Sequence, residues 1–419
     1  MHFPDFFSGA NQELVDVVRN LGANGVLRIG GNTSARTVWT TDENDVPADA
    51  SQVQGPDTGQ QAPPFRTITP RAIRNLRDFL DATGWSLIYG LNMGTGSAEA
   101  AVTEASAVVD TVGSKLLALQ FCNEPDLFHK NGVRPQGYAF PQFSEEWRRF
   151  LAAVRARLPQ AVFAGPDTAA DDWLIPFART FRTDIAFLTQ HYYALGPPTD
   201  PSMTIERLLG PDEKLEKTFT VLDELKKETG LPFRMAETNS CWGGGKTGVS
   251  NTFASALWGV ELMCKVGSAG GIGINFHGGG YGWYTPIAGS PGRGYEARPL
   301  YYGMLLFKAA GTGQTVEARF DDGPSDAISA FAVRGRGELS VILINKSDQR
   351  IPVAVVPQMA VISCSATYLM APTLDDTDHT TLGGARAGDH GEKTADAKPL
   401  TPFAPVDVPP YSAVLVKLR

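Results

Sequence analysis

Two hydrophobic spacings alternate along the chain. Short runs dense in apolar residues recur at 25–31 (GVLRIGG), 85–92, 115–124, 161–167, 185–195, 232–240 and 270–278. Between them, apolar residues return at three- and four-residue steps, most clearly over 69–83, 144–158 and 213–230. The first pattern reads as strands buried on both faces, the second as amphipathic helices. Thr69 before Pro70 marks a helix start, Ser144 with two acidic residues behind it marks another, and Gly230 with Pro232 marks a stop. Strand–helix alternation implies parallel strands joined by right-handed crossovers. The count is seven strands but eight helices, because the chain opens on a helical pattern at 11–22. The expected fold class is therefore α/β, a (β/α)8 TIM barrel whose first strand is missing or reduced to His2-Phe3-Pro4. A doubly wound open sheet is the alternative, and no Gly-rich phosphate loop follows any strand to favour it.

After the helical stretch 299–311 the period changes to two. Alternating runs at 314–320, 327–335, 339–347, 351–357, 360–370 and 411–419 predict an all-β module, a sandwich. The division expected is a catalytic barrel over 1–311 and a C-terminal β-sandwich over 312–419. Two polar stretches, 40–68 and 372–399, read as long exposed loops, the former overhanging the mouth of the barrel.

Composition narrows the function. Lys and Arg number 37 against 45 Asp and Glu, a net charge of −8, which argues against nucleic acid or an anionic membrane as the main partner. No run of 18 apolar residues is present, so no transmembrane helix is expected. The first twenty residues hold no signal-peptide core. Localisation stays open: secreted or periplasmic if the native N-terminus is longer, otherwise cytoplasmic. Four cysteines (Cys122, Cys241, Cys264, Cys364) are too few for a disulfide scaffold and form no CxxC pattern. Each reads as a small buried apolar residue.

In barrels of this kind, chemistry sits at the C-terminal ends of the strands. The run 115–124 ends in Asn123-Glu124-Pro125-Asp126, and the run 232–240 carries Glu237. Counting the absent strand as the first, these are strands four and seven, on opposite sides of the mouth. Two carboxyls converging on one sugar suit glycoside cleavage, one giving a proton to the leaving oxygen and the other attacking the anomeric carbon. A single glutamate at a strand end is more often a cap or an ion-pair partner; two at matched strand ends are not so easily dismissed.

Five short motifs then fall in register: LRIGGN (27–32), NEPD (123–126), QHYY (190–193), AETNSCWGGG (236–245) and GGGYGWY (278–284). Together with VPPYSAVLVKL (408–418) they resemble the β-glucuronidase and heparanase family, glycoside hydrolase family 79, within the retaining barrel glycosidases. The resemblance implies that Glu124 is the general acid/base and Glu237 the nucleophile. It implies that Asn123 binds the 2-hydroxyl, that Tyr193 orients Glu237, and that Asn32 touches a sugar hydroxyl. His191 is either a working residue or a satisfied barrel histidine. Gly279 and Gly280, followed by Tyr281, are implied to bind the glucuronate carboxylate, and Trp242 to line the opposite wall. Adjacent glycines do let backbone N–H groups approach an anion closely. No metal and no organic cofactor is implied.

The activity expected is retaining exo-β-glucuronidase action on terminal β-linked glucuronic acid, 4-O-methylated or not. The carbohydrate is the expected partner. A sulfated polyanion would call for a basic cleft, and Lys130 and Arg134 make no cluster. Two rivals stand beside this reading. One is a β-glucosidase, β-galactosidase or diglycosidase of the same superfamily. The other is a non-catalytic carbohydrate-binding barrel.

Overall fold

The structure is a computed structural model that describes residues 4–43, 66–321, 326–386 and 396–419. In chain order the first strands are β1 (Val26–Ile29), the short β2 (Thr37–Trp39) and β3 (Arg66–Ile68), then β4 (Ser86–Gly90), β5 (Leu116–Gln120), β6 (Ala164–Thr168), β7 (Phe187–Leu195), β8 (Phe233–Cys241) and β9 (Ile274–Phe276). β2 and β3 pair only with each other. The other seven are parallel, in the orders β1-β4-β5 and β6-β7-β8-β9, and a parallel bridge between Leu119 and Phe163 joins the two groups. β9 meets β1 where the Asn275 amide donates to the Val26 carbonyl at 2.8 Å. All seven apolar runs of the sequence are strands of this barrel.

The barrel has seven strands among the described residues. Of the first strand looked for at His2–Pro4, residues 1–3 lie outside the described residues and Pro4 begins a turn. β6 and β8 are buried at every position, whereas β1 and β9, each paired with one strand among the described residues, are half-buried throughout. The larger part of the polar stretch 40–68 (44–65) also lies outside the described residues.

The helices are α1 (Gln12–Arg19), α2 (Pro70–Thr83), α3 (Ala98–Val112), α4 (Phe140–Arg157), α5 (Asp171–Phe181), α6 (Ile205–Leu209), α7 (Glu213–Thr229), α8 (Phe253–Ser268) and α9 (Pro299–Ala309). Local chemistry sets their ends. Thr69 caps α2 through the amide of Ala72, with Pro70 in its first turn. Gly230 closes α7 in the left-handed conformation. α4 starts at Phe140, four residues before the expected Ser144. Pro141 fits its first turn, and the Gln142 side chain reaches back to the amide of Ala139 at 3.2 Å.

Beyond the hairpin β10 (Ile287–Ser290) and β11 (Gly294–Ala297) lies the C-terminal module. Its strands are β12 (Gln314–Val316), β13 (Ile328–Arg334), β14 (Leu339–Asn345), β15 (Ile351–Val353), β16 (Cys364–Met370), β17 (Thr381–Leu382), β18 (Lys398–Leu400), β19 (Val406–Val408) and β20 (Ser412–Leu418). Seven form an antiparallel sheet ordered β12-β13-β14-β20-β16-β17, with β18 also on β16, while β15 and β19 form a separate ribbon. The alternation read from the sequence sorts the sheet's two faces. Ile342, Ile344, Ala413 and Leu415 join the barrel's apolar core, and Val341, Leu343, Val414 and Val416 join a second core with the ribbon residues Val406 and Val408. Each such valine, leucine or isoleucine contributes about 1.5–3 kcal/mol when fully buried. Polar contacts add to the junction: Lys346 pairs with Glu261 of α8 at 3.1 Å, and Ser329 donates to the same carboxylate at 2.8 Å.

The stretch 372–399 is not wholly an exposed loop. The carbonyls of Leu374 and Asp376 accept from the first amides of α8, at Ala254 and Phe253, at 2.9 and 2.8 Å. A helix start needs acceptors for its free N–H groups, and Thr252 makes no side-chain cap here, so the module supplies them. All four cysteines are buried and unpaired.

Candidate active site

Arg28 organises the mouth of the barrel. It is the lone charged residue of β1, and its side chain is 5% exposed. Its guanidinium donates four ways: to Gln120 at 3.2 Å, Glu237 at 2.7 Å, Asn123 at 2.8 Å and Asp167 at 2.9 Å. One planar fork thus ties the ends of β5, β6 and β8 together, which a lysine ammonium could not reproduce.

Glu124 and Glu237 meet above it. One oxygen of each, with one ring nitrogen of His191, lie within 4.8 Å of one another. Glu124 has φ 47°, left-handed for a non-glycine residue and directly before a proline. Asp167, at φ 60°, shares that conformation, and its carbonyl accepts from the Glu124 amide at 2.8 Å. Backbone held this way costs about 1–3 kcal/mol per residue and persists only where surrounding contacts enforce it. Here it aims the Glu124 carboxyl at the mouth.

The electrostatics keep Glu237 ionised. Burial opposes ionisation of Glu237, but the charges of His277, His191 and Arg28 and the hydrogen bond from His277 outweigh it, holding the carboxyl well below the usual range. Tyr193 donates to the same carboxylate at 2.9 Å, and His277 Nδ1 lies 3.3 Å from it. Asp167 is also held ionised: burial works against it, and Arg28 and His191 prevail. His191 is the reverse case. Burial alone would lower its pKa, yet the Glu237 charge and the hydrogen bonds to Asp167 and Glu124 push it up to about 10. Glu124, His191 and Glu237 thus form one buried cluster of two acids and an imidazole.

The raised His191 value has a measurable sign. Below the unfolded-state pKa, about 6.5, the ring is protonated in both states and its pairing stabilises the fold fully. That contribution disappears as pH climbs through the folded value near 10. The urea midpoint should therefore fall between pH 7 and 10, and His191→Gln should flatten the fall. Identical slopes in both proteins would contradict the assignment.

Of the residues singled out in the sequence, six are joined by direct contacts. Glu124 meets His191 at 3.2 Å, Tyr193 meets Glu237, and Asn123 binds Arg28 and donates to Asn32 at 3.0 Å. Trp242 directly follows β8, and Gly279, Gly280 and Tyr281 lie on the loop after β9. Trp242 is 49% and Tyr281 39% exposed, and neither is hydrogen-bonded to the acidic pair. The two Gly-rich loops are tied by the Trp283 amide on the Gly244 carbonyl at 2.6 Å. Gly280 (φ 86°) faces the Gly289 carbonyl so closely that a Cβ would sit 2.2 Å from it, whereas one at Gly279 would meet nothing within 4 Å. Arg28, Gln120, Asp167 and His277 escaped the sequence reading. Arg28 could have been found as the single charge in an apolar strand, and Asp167 as the acid closing another.

No family model matches the chain. A β-glucuronidase of Aspergillus niger is 24% identical over 301 residues, 62% of this chain and 53% of that protein. A Neurospora crassa β-glucuronidase is 24% identical over 72% of this chain and 60% of its own length, and Bos taurus heparanase is 26% identical over 58% and 46%. The chain thus spans about half to three-fifths of the length of these curated relatives. Among solved structures, a 4-O-α-L-rhamnosyl-β-D-glucuronidase from Fusarium oxysporum superposes with a TM-score of 0.75 at 18% identity, covering 99% of this chain and 92% of that one. A family 51 arabinofuranosidase from Xanthomonas axonopodis gives 0.65 at 17%, covering 97% and 89%. The barrel is thus a fold shared with these solved glycosidase structures. In sequence the chain is similar to curated β-glucuronidases and a heparanase.

Proposed function

We propose that the chain is a retaining, exo-acting β-glucuronidase that removes terminal β-linked glucuronic acid, 4-O-methylated or not, from glycans or glycosides. The observation that carries the reading is the approach of Glu124 and Glu237, one oxygen of each within 4.8 Å, with Glu237 held ionised. Retaining enzymes hold the two carboxyls about 5–5.5 Å apart, whereas inverting ones leave room for water at about 6.5–9.5 Å. Glu237, kept ionised by Arg28, His191 and His277, attacks the anomeric carbon as Glu124 protonates the departing oxygen. Glu124 then takes a proton from water, and the hydroxyl releases the sugar from Glu237. Tyr193 orients Glu237, and Asn123, anchored by Arg28 and Asn32, faces the 2-hydroxyl. The rim formed by Gly279, Gly280 and Tyr281 takes the sugar's carboxylate, and Trp242 stacks on the sugar or its aglycone. We read 1–311 as the catalytic barrel and 312–419 as a sandwich of the seven-stranded sheet and the β15–β19 ribbon.

Glucuronide is favoured over a neutral sugar by the curated relatives' names and by the Fusarium neighbour. Parallel assays on 4-nitrophenyl β-glucuronide and β-glucoside test it; faster glucoside cleavage would overturn the assignment of the rim. Tyr281→Phe should slow glucuronide turnover about 10–100-fold, the value of one hydrogen bond to a charged group, and leave residual glucoside turnover unaltered. NMR of the first-formed sugar should show the β-anomer.

A further inference from the structure

Behind Glu124, away from the sugar, lies a second acid that the reaction as written does not use. Asp167 is fully buried, with one oxygen on Arg28 at 2.9 Å and the other 3.4 Å from His191 Nε2. Neither that oxygen nor Nε2 has any nearer hydrogen-bond partner among the described residues, so they face only each other. The opposite ring nitrogen, Nδ1, lies 3.2 Å from Glu124 and 4.0 Å from Glu237. The charged groups around the ring are therefore Glu124 from the turn after β5, Asp167 from β6, Glu237 from β8 and Arg28 from β1.

We propose that Asp167 and His191 form a proton relay behind Glu124, in which Asp167 keeps a proton on Nε2 so that Nδ1 exchanges one proton with the Glu124 carboxyl in each half of the reaction. The proposal rests on reading Glu124 as the acid/base. With Nε2–H fixed, the Nδ1–Glu124 pair holds a single mobile proton, as imidazolium beside carboxylate or as imidazole beside carboxylic acid. In the first half, the proton leaves the Glu124 oxygen for the glycosidic oxygen as the C–O bond breaks and the Glu237 oxygen bonds the anomeric carbon. Glu124 then faces a bare Nδ1 lone pair, which makes it a stronger base. In the second half, water loses a proton to Glu124, its hydroxyl bonds the anomeric carbon, and the Glu237 ester opens. The proton returns to the pair, so each cycle balances. The raised His191 pKa agrees with a ring that holds this proton at neutral pH. Asp167 and His191 are positioning residues, since they act through Glu124.

The test compares leaving groups. 2,4-Dinitrophenol departs without a proton and methanol does not. His191→Gln should therefore cut methyl β-glucuronide hydrolysis about 10²-fold or more, the scale of acid catalysis, and dinitrophenyl β-glucuronide hydrolysis only a few-fold. Asp167→Asn should move the alkaline limb of kcat/KM to lower pH by about one unit or more. In the whole chain labelled with 15N-histidine, the ring signal absent from His191→Gln should show a protonated Nε2 at pH 8. Equal losses on both substrates, an unmoved alkaline limb, or a bare Nε2 at pH 8 would each overturn the relay. A wild-type chain that cleaves neither glucuronide would instead refute the glycosidase reading itself.

Discussion

Glu237→Gln should lower kcat on 4-nitrophenyl β-glucuronide by at least about a thousandfold, with the folded state retained. The amide is neither anionic nor nucleophilic, so no glycosyl ester can form. It also fits its surroundings poorly. Two donors, Arg28 and Tyr193, converge on the carboxylate at 2.7 and 2.9 Å, and a glutamine offers one oxygen and turns an NH2 toward the other. The melting temperature should fall as well, so steady-state rates are read where a thermal melt shows the variant folded. Glu124→Ala makes the contrast. It should spare substrates with acidic leaving groups, and added azide should restore turnover by attacking the intermediate that no longer has a base to activate water. A Glu237→Gln protein with ordinary rates would end the proposed mechanism.

Arg28→Met should destabilise the protein by about 3–5 kcal/mol, the usual cost of removing one partner from a buried ion pair. The loss falls on two carboxylates at once, Glu237 and Asp167, and also removes the donors to Gln120 and Asn123. The midpoint of urea unfolding at neutral pH measures it. A second signature follows from the same geometry. Without the guanidinium, Glu237 loses one of the charges that keep it ionised, so the acid limb of the rate profile should move to higher pH. Arg28→Lys should restore little, because a single ammonium cannot reach four acceptors spread over three strands. Wild-type stability in Arg28→Met would mean that the network is ornamental.

The barrel was legible because its strands are buried on both sides. Runs such as those at 161–167 and 232–240 carry almost no period and are bounded by turns, and each proved to be a strand. The C-terminal alternation was equally plain, and it sorted Ile342 from Val341 onto opposite faces. The short β17, β18 and β19 went unread because two or three residues hold no period. The docking of 374–376 onto α8 was hidden for another reason: backbone carbonyls make that contact, and side-chain chemistry does not report it. At the site, Glu124 and Glu237 could be found from strand ends alone. His277 could not, since its importance lies in the carboxylate that the closed ring brings to 3.3 Å. The Gly279–Tyr281 loop was read from the resemblance, and none of its residues bonds directly to the acidic pair.

The C-terminal sheet turns one whole face into the same apolar cluster as the barrel helices, and it supplies the acceptors at the head of α8. A boundary drawn on the sequence near residue 311 is thus not a place where the molecule can be cut. The barrel borrows part of its outer wall from residues beyond that boundary, and a chain stopped there would leave an apolar patch bare to water.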